Sequence, residues 1–435
     1  MFHTLFLAKR SRLQWPSLTL VFLVLIAASK HSLAETLTLE SAWALAEQNN
    51  PEIRRTMAGR EAVQGEIKDA SALLFNNPTL NVEAGRRRLY QPDAADPQRS
   101  EWSGGISQTL ELAGQQGFRR QTADAKFSAL QQEINETRRR VIAEVEQRFI
   151  QVLALQKRIE IERRTLELIE RNTSLVSKRV DAGEDSKLDG NLAIVDAERA
   201  HNQVSVLQEQ LTRARAALAA VLQLPAQALP TALGELQPAA TSYSLEDLLA
   251  SVVNRPALQA LSLREQSARS SLDFERAARY PDLTVSLNNS REAVIGGQDN
   301  VTSIGLSLPI PLFRQNATGV GRATSEVTQA EIDRNTVSRD ARAAVIASWQ
   351  RRQSLHDRVQ RLNTAVYPKL EENLRLSQVA YQEGEIALPQ LLLVQRQVID
   401  AQRDLIEAQL DLRLTQIELE YAAGWPLANE SANQQ

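Results

Sequence analysis

Two stretches of the chain alternate between apolar and polar residues with a period of two. In the clearer stretch, the alternation runs from Leu283 to Leu287 and continues after a glycine-rich loop from Ile304 to Leu312. An earlier stretch repeats the pattern from Leu80 to Ala84 and from Trp102 to Leu112. A period of two is typical of β-strands with one apolar face. The pattern predicts two β-hairpins, at about 79–112 and 282–313.

The segments that follow each hairpin have helical spacing instead. From Gln115 to Ala182 the chain contains no proline, and apolar residues recur every seven positions in two series. The series are offset by about 200° around a helix of 3.6 residues per turn, so the helix has neighbours on two opposite flanks. A two-stranded coiled coil needs one seam only. The pattern therefore predicts helices in the wall of a helical cylinder, arranged as long hairpins at about 115–222 and 318–423.

The two halves of the chain repeat each other. Residues Leu39 to Pro51 recur as Leu245 to Pro256, and Gly183 corresponds to Gly384 at an offset of 201 positions. A period this long, with helix and strand signals in each half, indicates a duplicated half-domain. We therefore predict two structural repeats, 35–234 and 235–435, each with a helix, a β-hairpin and a long helical hairpin.

The first residues have the features of a secretory signal. A basic segment precedes an apolar run from Leu18 to Ala28, and Ser32-Leu33-Ala34 resembles a cleavage site. The run is shorter than the ~20 residues that span a bilayer. We predict that residues 1–34 are a signal peptide, with a retained membrane anchor as the alternative.

Composition excludes several classes of function. The chain has no cysteine, a formal net charge of -3 and 24% charged residues of both signs, which argues against a nucleic-acid partner. His201, His356 and Met57 are far apart in sequence, so no metal site is predicted. No catalytic or phosphate-binding motif is present in the sequence, so we predict neither an enzyme nor a cofactor.

Helix lengths and strand number suggest how the chain assembles. At about 1.5 Å per residue, each half provides two helical rods of roughly 100 Å, one continuous and one made of two shorter helices. Four strands cannot close a barrel, whereas an apolar sheet with open edges must close to sit in a bilayer. Two chains would give 8 strands and three would give 12, and only the wider barrel has an open lumen. We therefore predict a homotrimer with a continuous channel.

Several segments resemble one known family. The run Leu306–Phe313 (LSLPIPLF), the two-copy layout and the paired glycine turns are similar to the TolC-type outer membrane efflux proteins. Ile106–Gln116 (ISQTLELAGQQ) resembles especially their CzcC and CusC branch, which is associated with heavy-metal cation export.

The resemblance implies an α+β membrane fold. It comprises a trimeric 12-stranded β-barrel in the outer membrane of a Gram-negative bacterium, continued by a 12-helix α-barrel in the periplasm. The implied function is a passive duct that exports small solutes, expected to be heavy-metal cations. The implied partners are two further protomers, outer membrane lipid, a periplasmic adaptor protein and an inner-membrane RND-type pump. Drug efflux and type I protein secretion are alternatives within the family, and a periplasmic coiled-coil scaffold is an alternative outside it.

The resemblance also assigns roles to the turns of the two helical hairpins. Asp189 and Tyr381 are expected to narrow the periplasmic mouth, although Gln390 stands where a second acidic residue would match Asp189. A solvated turn is the alternative for the acidic residues. The run Arg86-Arg87-Arg88 is expected in an outer loop that faces lipopolysaccharide phosphates. The residues expected to dock the adaptor are Gly183, Glu184, Asp185, Ser186, Leu188, Gly384, Glu385, Ile386, Ala387 and Leu388.

Overall fold

The computed structural model describes residues 36–88, 98–225, 227–237, 243–295 and 297–426 of the 435-residue chain. The predicted signal peptide, residues 1–34, lies outside the described residues. None of the described helices is both long and apolar enough to cross a bilayer.

The first half of the chain contains three short elements, one β-hairpin and one long helical hairpin. In chain order they are β1 (Thr36–Leu37), α1 (Leu39–Asn49), α2 (Pro51–Ala70), β2 (Thr79–Arg88), β3 (Gln98–Leu110), α3 (Gln115–Asp181) and α4 (Lys187–Val221). With 67 residues, α3 is on the order of 100 Å long.

The second half repeats this order, with a 3₁₀ turn added before α6 and with its long helix interrupted once. Its elements are β4 (Thr231–Ala232), α5 (Leu245–Ser251), a 3₁₀ turn (Val252–Asn254), α6 (Pro256–Ala277), β5 (Leu283–Val294), β6 (Gly297–Ser307), α7 (Ala317–Arg361), a π-helical turn (Leu362–Val366), α8 (Tyr367–Gln382) and α9 (Leu388–Ala423). The interruption lies between α7 and α8, close to Pro368 in the first turn of α8. Pro368 lacks an N–H and clashes with the carbonyl four residues earlier, and the wider π turn ends two residues before it.

Helix α2 ends at Ala70. Its last carbonyls accept hydrogen bonds from α3, because Arg120 Nε lies 3.0 Å from Ala70 O and Gln116 Nε2 lies 3.2 Å from the same oxygen. Side chains from α3 thus satisfy the carbonyls that a helix end leaves unpaired.

The two β-hairpins join into one antiparallel sheet of four strands in the order β2-β3-β5-β6. Leu80, Ile106, Leu287 and Ile304 lie in one row across all four strands. Because side chains on one face of a sheet recur every second residue, this row shares its face with Val82, Val285 and Leu306, and we call that face the apolar face. Leu80 and Ile304 on this face are exposed to 74% and 76% in the single chain. The opposite, polar face carries residues such as Asn81 and Ser303.

The strand boundaries differ from the sequence prediction in two places. The run from Leu308 to Leu312 alternates like a strand but lies beyond the end of β6, because Pro309 and Pro311 cannot donate the hydrogen bonds of a ladder. At the other end, β2 continues through Arg86-Arg87-Arg88, so these arginines are in the sheet and not in a loop.

The hydrophobic core lies around the middle of the long helices. There, β1 pairs in parallel with β4, and Gln156 of α3 exchanges two hydrogen bonds of 2.9 Å with the backbone of Ala232 in β4. Phe149 and Ile142 of α3 and Leu218 of α4 are almost fully buried beside this pair. The short strands β1 and β4 therefore pack against the middle of α3.

Candidate functional site at the helical hairpin tips

The first helical hairpin turns around Gly183, which has a φ of +81°. Its N–H donates to Val180 O (3.0 Å), and the Glu184 N–H donates to Arg179 O (2.8 Å). These two bonds form a Schellman motif, in which a residue with left-handed backbone satisfies the last helical carbonyls. Glycine adopts this backbone without steric cost.

The second helical hairpin ends in the same way around Gly384, with a φ of +76°. The Gly384 N–H donates to Tyr381 O (3.1 Å), and the Glu385 N–H donates to Ala380 O (2.8 Å). The glycines that sequence comparison pairs therefore occupy equivalent positions in the two turns. We call the turns 182–188 and 383–388 the first and second tips.

The tips differ in how the next helix begins. Ser186 caps α4: its Oγ accepts from the Asp189 N–H (3.2 Å), and Oγ donates to Asp189 Oδ2 (2.6 Å). Together with a bond from the Ser186 N–H to Asp189 Oδ2 (3.3 Å), this is a capping box. At the second tip, Ala387 holds the cap position without a side-chain acceptor, and Pro389 lies in the first turn of α9. The carboxylate of Asp189 thus has a local structural role as part of a helix cap.

Tyr381 of α8 reaches the first tip, and its polar partner there is Asp185. Its hydroxyl lies 3.4 Å from Asp185 Oδ2, the same oxygen that accepts from Arg179 Nε at 3.0 Å. The Arg179 guanidinium also lies 5.3 Å from the centre of the Tyr381 ring, within cation–π range. We call Arg179, Asp185 and Tyr381 the tip clamp, because they join the two hairpins of one chain.

Burial and neighbouring charges determine the protonation states of Tyr381 and Arg179 in the tip clamp. Partial burial raises the pKa of Tyr381 above its ordinary value, and the nearby carboxylate of Asp185 raises it further. The hydrogen bond to Asp185 raises the pKa of Arg179. Tyr381 is therefore a neutral donor and Arg179 a cation at any physiological pH. Sequence analysis missed Arg179, and its position in the last turn of α3 beside an acidic turn is the only signal that could have indicated it.

A small apolar cluster lies behind the tip clamp. Val176 of α3, Ala193 of α4 and Leu388 of α9 are buried together, and Tyr381 packs against them. Leu388 is only 4% exposed, so its place is in this cluster and not on a docking surface. The two tips therefore pack as one unit within the chain.

The other residues predicted to dock a partner lie at or near the surface. Gly183, Glu184, Ser186, Gly384, Glu385 and Ala387 are exposed, and Asp185 and Ile386 are half-buried. Leu188 is exposed to 67%, and Leu192 and Leu393 nearby are also exposed. The tips thus combine exposed leucines with exposed carboxylates. Among the residues that the structure describes, no group of three or more His, Asp or Glu side chains is arranged to hold a metal ion.

The arrangement defines a class of protein. Helices of about 100 Å extend from a four-stranded sheet with an exposed apolar face. The two tips lie together at the far end of these helices. This is the architecture of an outer membrane channel protomer. The chain belongs to the outer membrane efflux protein family, which it matches over residues 43–222 and 250–425. It is accordingly an outer membrane efflux channel, a passive duct and not an enzyme.

The chain is also similar to individual proteins of known name or structure. The cobalt-zinc-cadmium resistance protein CzcC of Cupriavidus metallidurans is 27% identical over 368 residues, which cover 83% of this chain and 84% of CzcC. The solved structure of CusC matches with a TM-score of 0.73 at 18% identity, covering 89% of this chain and 92% of CusC. VceC from Vibrio cholerae matches with a TM-score of 0.73 at 18% identity, covering 89% of this chain and 96% of VceC. The two structural likenesses show the fold.

Proposed function

We propose that the protein is a homotrimer that exports heavy-metal cations across the outer membrane. Three four-stranded sheets form a 12-stranded barrel, and four helical rods from each chain form a 12-helix tunnel in the periplasm. An inner-membrane RND-type pump delivers the cations, and a periplasmic adaptor protein docks at the tips. The channel supplies a passive path, and the pump supplies the energy.

The sheet is the observation that carries this proposal. It has one exposed apolar face and two edge strands, β2 and β6, whose outer sides are unpaired in the single chain. In hydrocarbon each unpaired backbone group costs several kcal/mol, so the edges must find partners. Pairing of β6 with β2 of the next chain, three times, closes the sheet with a lumen wide enough to conduct.

The substrate class rests on the similarity to CzcC, whose name gives cobalt, zinc and cadmium. A channel that passes such ions without binding them needs no dedicated ligand set. The mature chain, after its predicted signal, has no cysteine and only two histidines, His201 and His356. Selection among cations is therefore assigned to the pump and not to the duct.

The tips are assigned two roles. The exposed residues around Gly183 and Gly384, with Leu188, form the adaptor surface. The region around Tyr381 and Asp189, which includes Asp185 of the tip clamp, narrows the periplasmic mouth. Three copies of the tip clamp around a three-fold axis would hold each chain's hairpins together and keep this mouth narrow at rest.

A deletion strain tests the substrate class. Cells that lack the gene but retain the pump and adaptor should accumulate zinc, cobalt and cadmium, and should lose tolerance to them. The intact gene should restore both, and the measurements are metal content by mass spectrometry and growth on graded metal. Unchanged metal tolerance together with lost tolerance to organic toxicants would instead assign the duct to drug export. Purified protein that is monomeric and forms no conducting pores in planar bilayers would rule out the channel assembly itself.

A further inference from the structure

The strand register separates the three consecutive arginines of β2. Arg86 pairs with Ser100 and Arg88 pairs with Gln98, which places both on the apolar face. Arg87 lies between them and therefore points to the polar face. There its Nε lies 3.0 Å from Glu101 Oε1. Only two of the three arginines thus share a face with the leucine row.

A third arginine joins Arg86 and Arg88 from another strand. Arg291 of β5 pairs with Trp102 of β3, and Trp102 pairs with Ala84 of β2. Arg291 is therefore on the apolar face, one row nearer the helices than Arg86. All three arginines are exposed, and none has an ion-pair or hydrogen-bond partner among the described residues. We call Arg86, Arg88 and Arg291 the outer arginines.

The carboxylates of the sheet all lie on the other face. By the same register, Glu83, Glu101, Glu292 and Asp299 share the polar face with Arg87. Among the described strand residues, the apolar face has no carboxylate at all. This segregation matters because the outer arginines have no carboxylate on their own face with which to pair.

The outer arginines lie at one end of the apolar band. The leucine row is on the side of the helices, Trp102 follows towards the hairpin turns, and the arginines are level with Trp102 or beyond it. In the proposed barrel, the hairpin turns lie at the end opposite the periplasmic tunnel. Trp side chains concentrate at a membrane interface, and arginine side chains near the edge of the hydrocarbon extend to the headgroups.

We propose that the outer arginines bind the phosphate groups of an anionic glycolipid in the outer leaflet. Guanidinium groups bind phosphate with paired hydrogen bonds. Arg86 and Arg88 are about 7 Å apart along β2, and Arg291 is two strands away, or about 10 Å. This spacing fits a headgroup with two separate phosphates better than a single phosphate ion. The proposal rests on the proposed barrel, which sets the face that meets lipid.

The test uses purified wild-type trimers and two variants in detergent. The first variant carries Arg86→Gln, Arg88→Gln and Arg291→Gln, and the matched control carries Arg87→Gln, which removes one arginine of the same run from the polar face. Native mass spectrometry measures binding of diphosphorylated lipid A, with dephosphorylated lipid A and inorganic pyrophosphate as further probes.

We expect the wild type and the Arg87→Gln control to bind diphosphorylated lipid A with equal affinity, and the triple variant to bind at least tenfold more weakly. Dephosphorylated lipid A should bind no better to the wild type than to the triple variant. Equal binding by the triple variant, or an equal loss in the Arg87→Gln control, would overturn the proposal. Competition by pyrophosphate at the concentration of the lipid would assign the site to free phosphate instead. Oligomeric state and conductance of the same wild-type sample test the proposed channel separately, so its failure is distinguishable.

Discussion

At the scale of single residues, the tip clamp depends on one carboxylate. Asp185 accepts hydrogen bonds from Arg179 of its own hairpin and from Tyr381 of the other hairpin. A hydrogen bond to a charged group contributes more than one between neutral groups. Removing the carboxylate therefore removes the polar link between the two hairpins, while the apolar cluster behind it remains.

The first prediction is that Asp185→Asn combined with Tyr381→Phe widens the periplasmic mouth. Single-channel conductance in planar bilayers should rise severalfold, because the hairpins lose the clamp that holds them together. Glu385→Gln is the matched control, since it removes an exposed carboxylate of the second tip outside the clamp, and it should leave conductance unchanged. Unchanged conductance in the double variant would place the constriction elsewhere.

Asp189 should behave differently from Asp185. Because its carboxylate is the N3 member of the capping box of α4, Asp189→Ala is expected to cost up to about 1 kcal/mol of helix stability. The family resemblance assigns Asp189 to the constriction, and that assignment stays a prediction. A conductance change for Asp189→Ala, measured at a temperature where the cap loss does not unfold the tip, would support it.

A buried acidic residue lies in the core around the middle of α3. Glu146 of α3 is 3% exposed and lies 2.5 Å from Arg413 of α9. Burial raises the pKa of Glu146 to about 7, the charge of Arg413 acts in the opposite direction, and the charge of Glu420 raises it further. The folded protein therefore holds a proton on Glu146 at pH values where the unfolded chain has released it.

The second prediction concerns the pH dependence of stability. A carboxyl group whose folded pKa is raised contributes stability at low pH and loses that contribution as pH rises from about 4.5 to about 7. Relative to Glu146→Gln, the wild type should therefore lose up to about 3 kcal/mol between pH 4.5 and pH 8. Melting temperatures in detergent across this range measure it. A difference between the two proteins that does not vary with pH would contradict the raised pKa.

At the scale of elements, the tips depend on two left-handed glycines. A Cβ at Gly384 would meet nothing within 4 Å, so a substitution there is disfavoured by backbone conformation and not by a clash with neighbours. A residue other than glycine pays about 1–2 kcal/mol in this region of backbone space, and a β-branched residue is disfavoured further, whereas asparagine tolerates it better.

The third prediction is that Gly384→Val leaves trimers in the outer membrane but abolishes export, because the turn of the second tip loses its shape. Gly384→Asn is the matched control and should retain most export. Cross-linking to the adaptor and metal tolerance measure the two properties. Normal cross-linking and tolerance in Gly384→Val would show that the second tip is not the docking surface.

The fourth prediction concerns which face of the sheet meets lipid, and it uses two neighbouring residues of β5. Val285 pairs with Gln108 and Leu306 on the apolar face, whereas Ser286 pairs with Ser107 and Gly305 on the polar face. Val285→Arg should cost about 2–4 kcal/mol if the apolar face meets the middle of the bilayer. Ser286→Arg, the matched control, should assemble normally in a polar lumen. The yield of trimers in outer membrane fractions measures both, and equal yields would contradict the lipid-facing assignment.

The sequence predicts an element well when the residues that determine it lie within that element or next to it. The long helices follow from heptad spacing within one segment, and their ends follow from Gly183 and Ser186 nearby. The strand prediction for Leu308–Leu312 is wrong, because alternation alone does not show that Pro309 and Pro311 lack the N–H groups that a ladder needs. The partner of Tyr381 was not predictable from spacing, since Asp185 lies 196 positions away in sequence.

At the scale of the whole molecule, the single chain leaves apolar surface exposed on its sheet and along its helices. Apolar side chains such as Val82 and Leu306 are exposed on one face of the sheet, and others such as Leu175 are exposed along the helices. Exposed apolar surface of this extent marks an interface with protein or lipid. The proposed trimer accounts for both features, because neighbouring chains would cover the helical flanks and continue the sheet.

The fifth prediction tests this closure through the two edge strands. The chain has no cysteine, so every thiol cross-link must come from the introduced cysteine pair. Asn81→Cys in β2, combined in turn with cysteine at Val301, Ser303 or Ser307 on the same face of β6, should give covalent dimers and trimers with a short thiol cross-linker. Several β6 positions are needed because closing a barrel staggers the strands. Glu83→Cys with Ser103→Cys, which pair directly within one chain, is the positive control and should cross-link without raising the mass. If only the control reacts, β6 does not meet β2 of a neighbour, and the trimeric barrel is wrong even if the helices assemble.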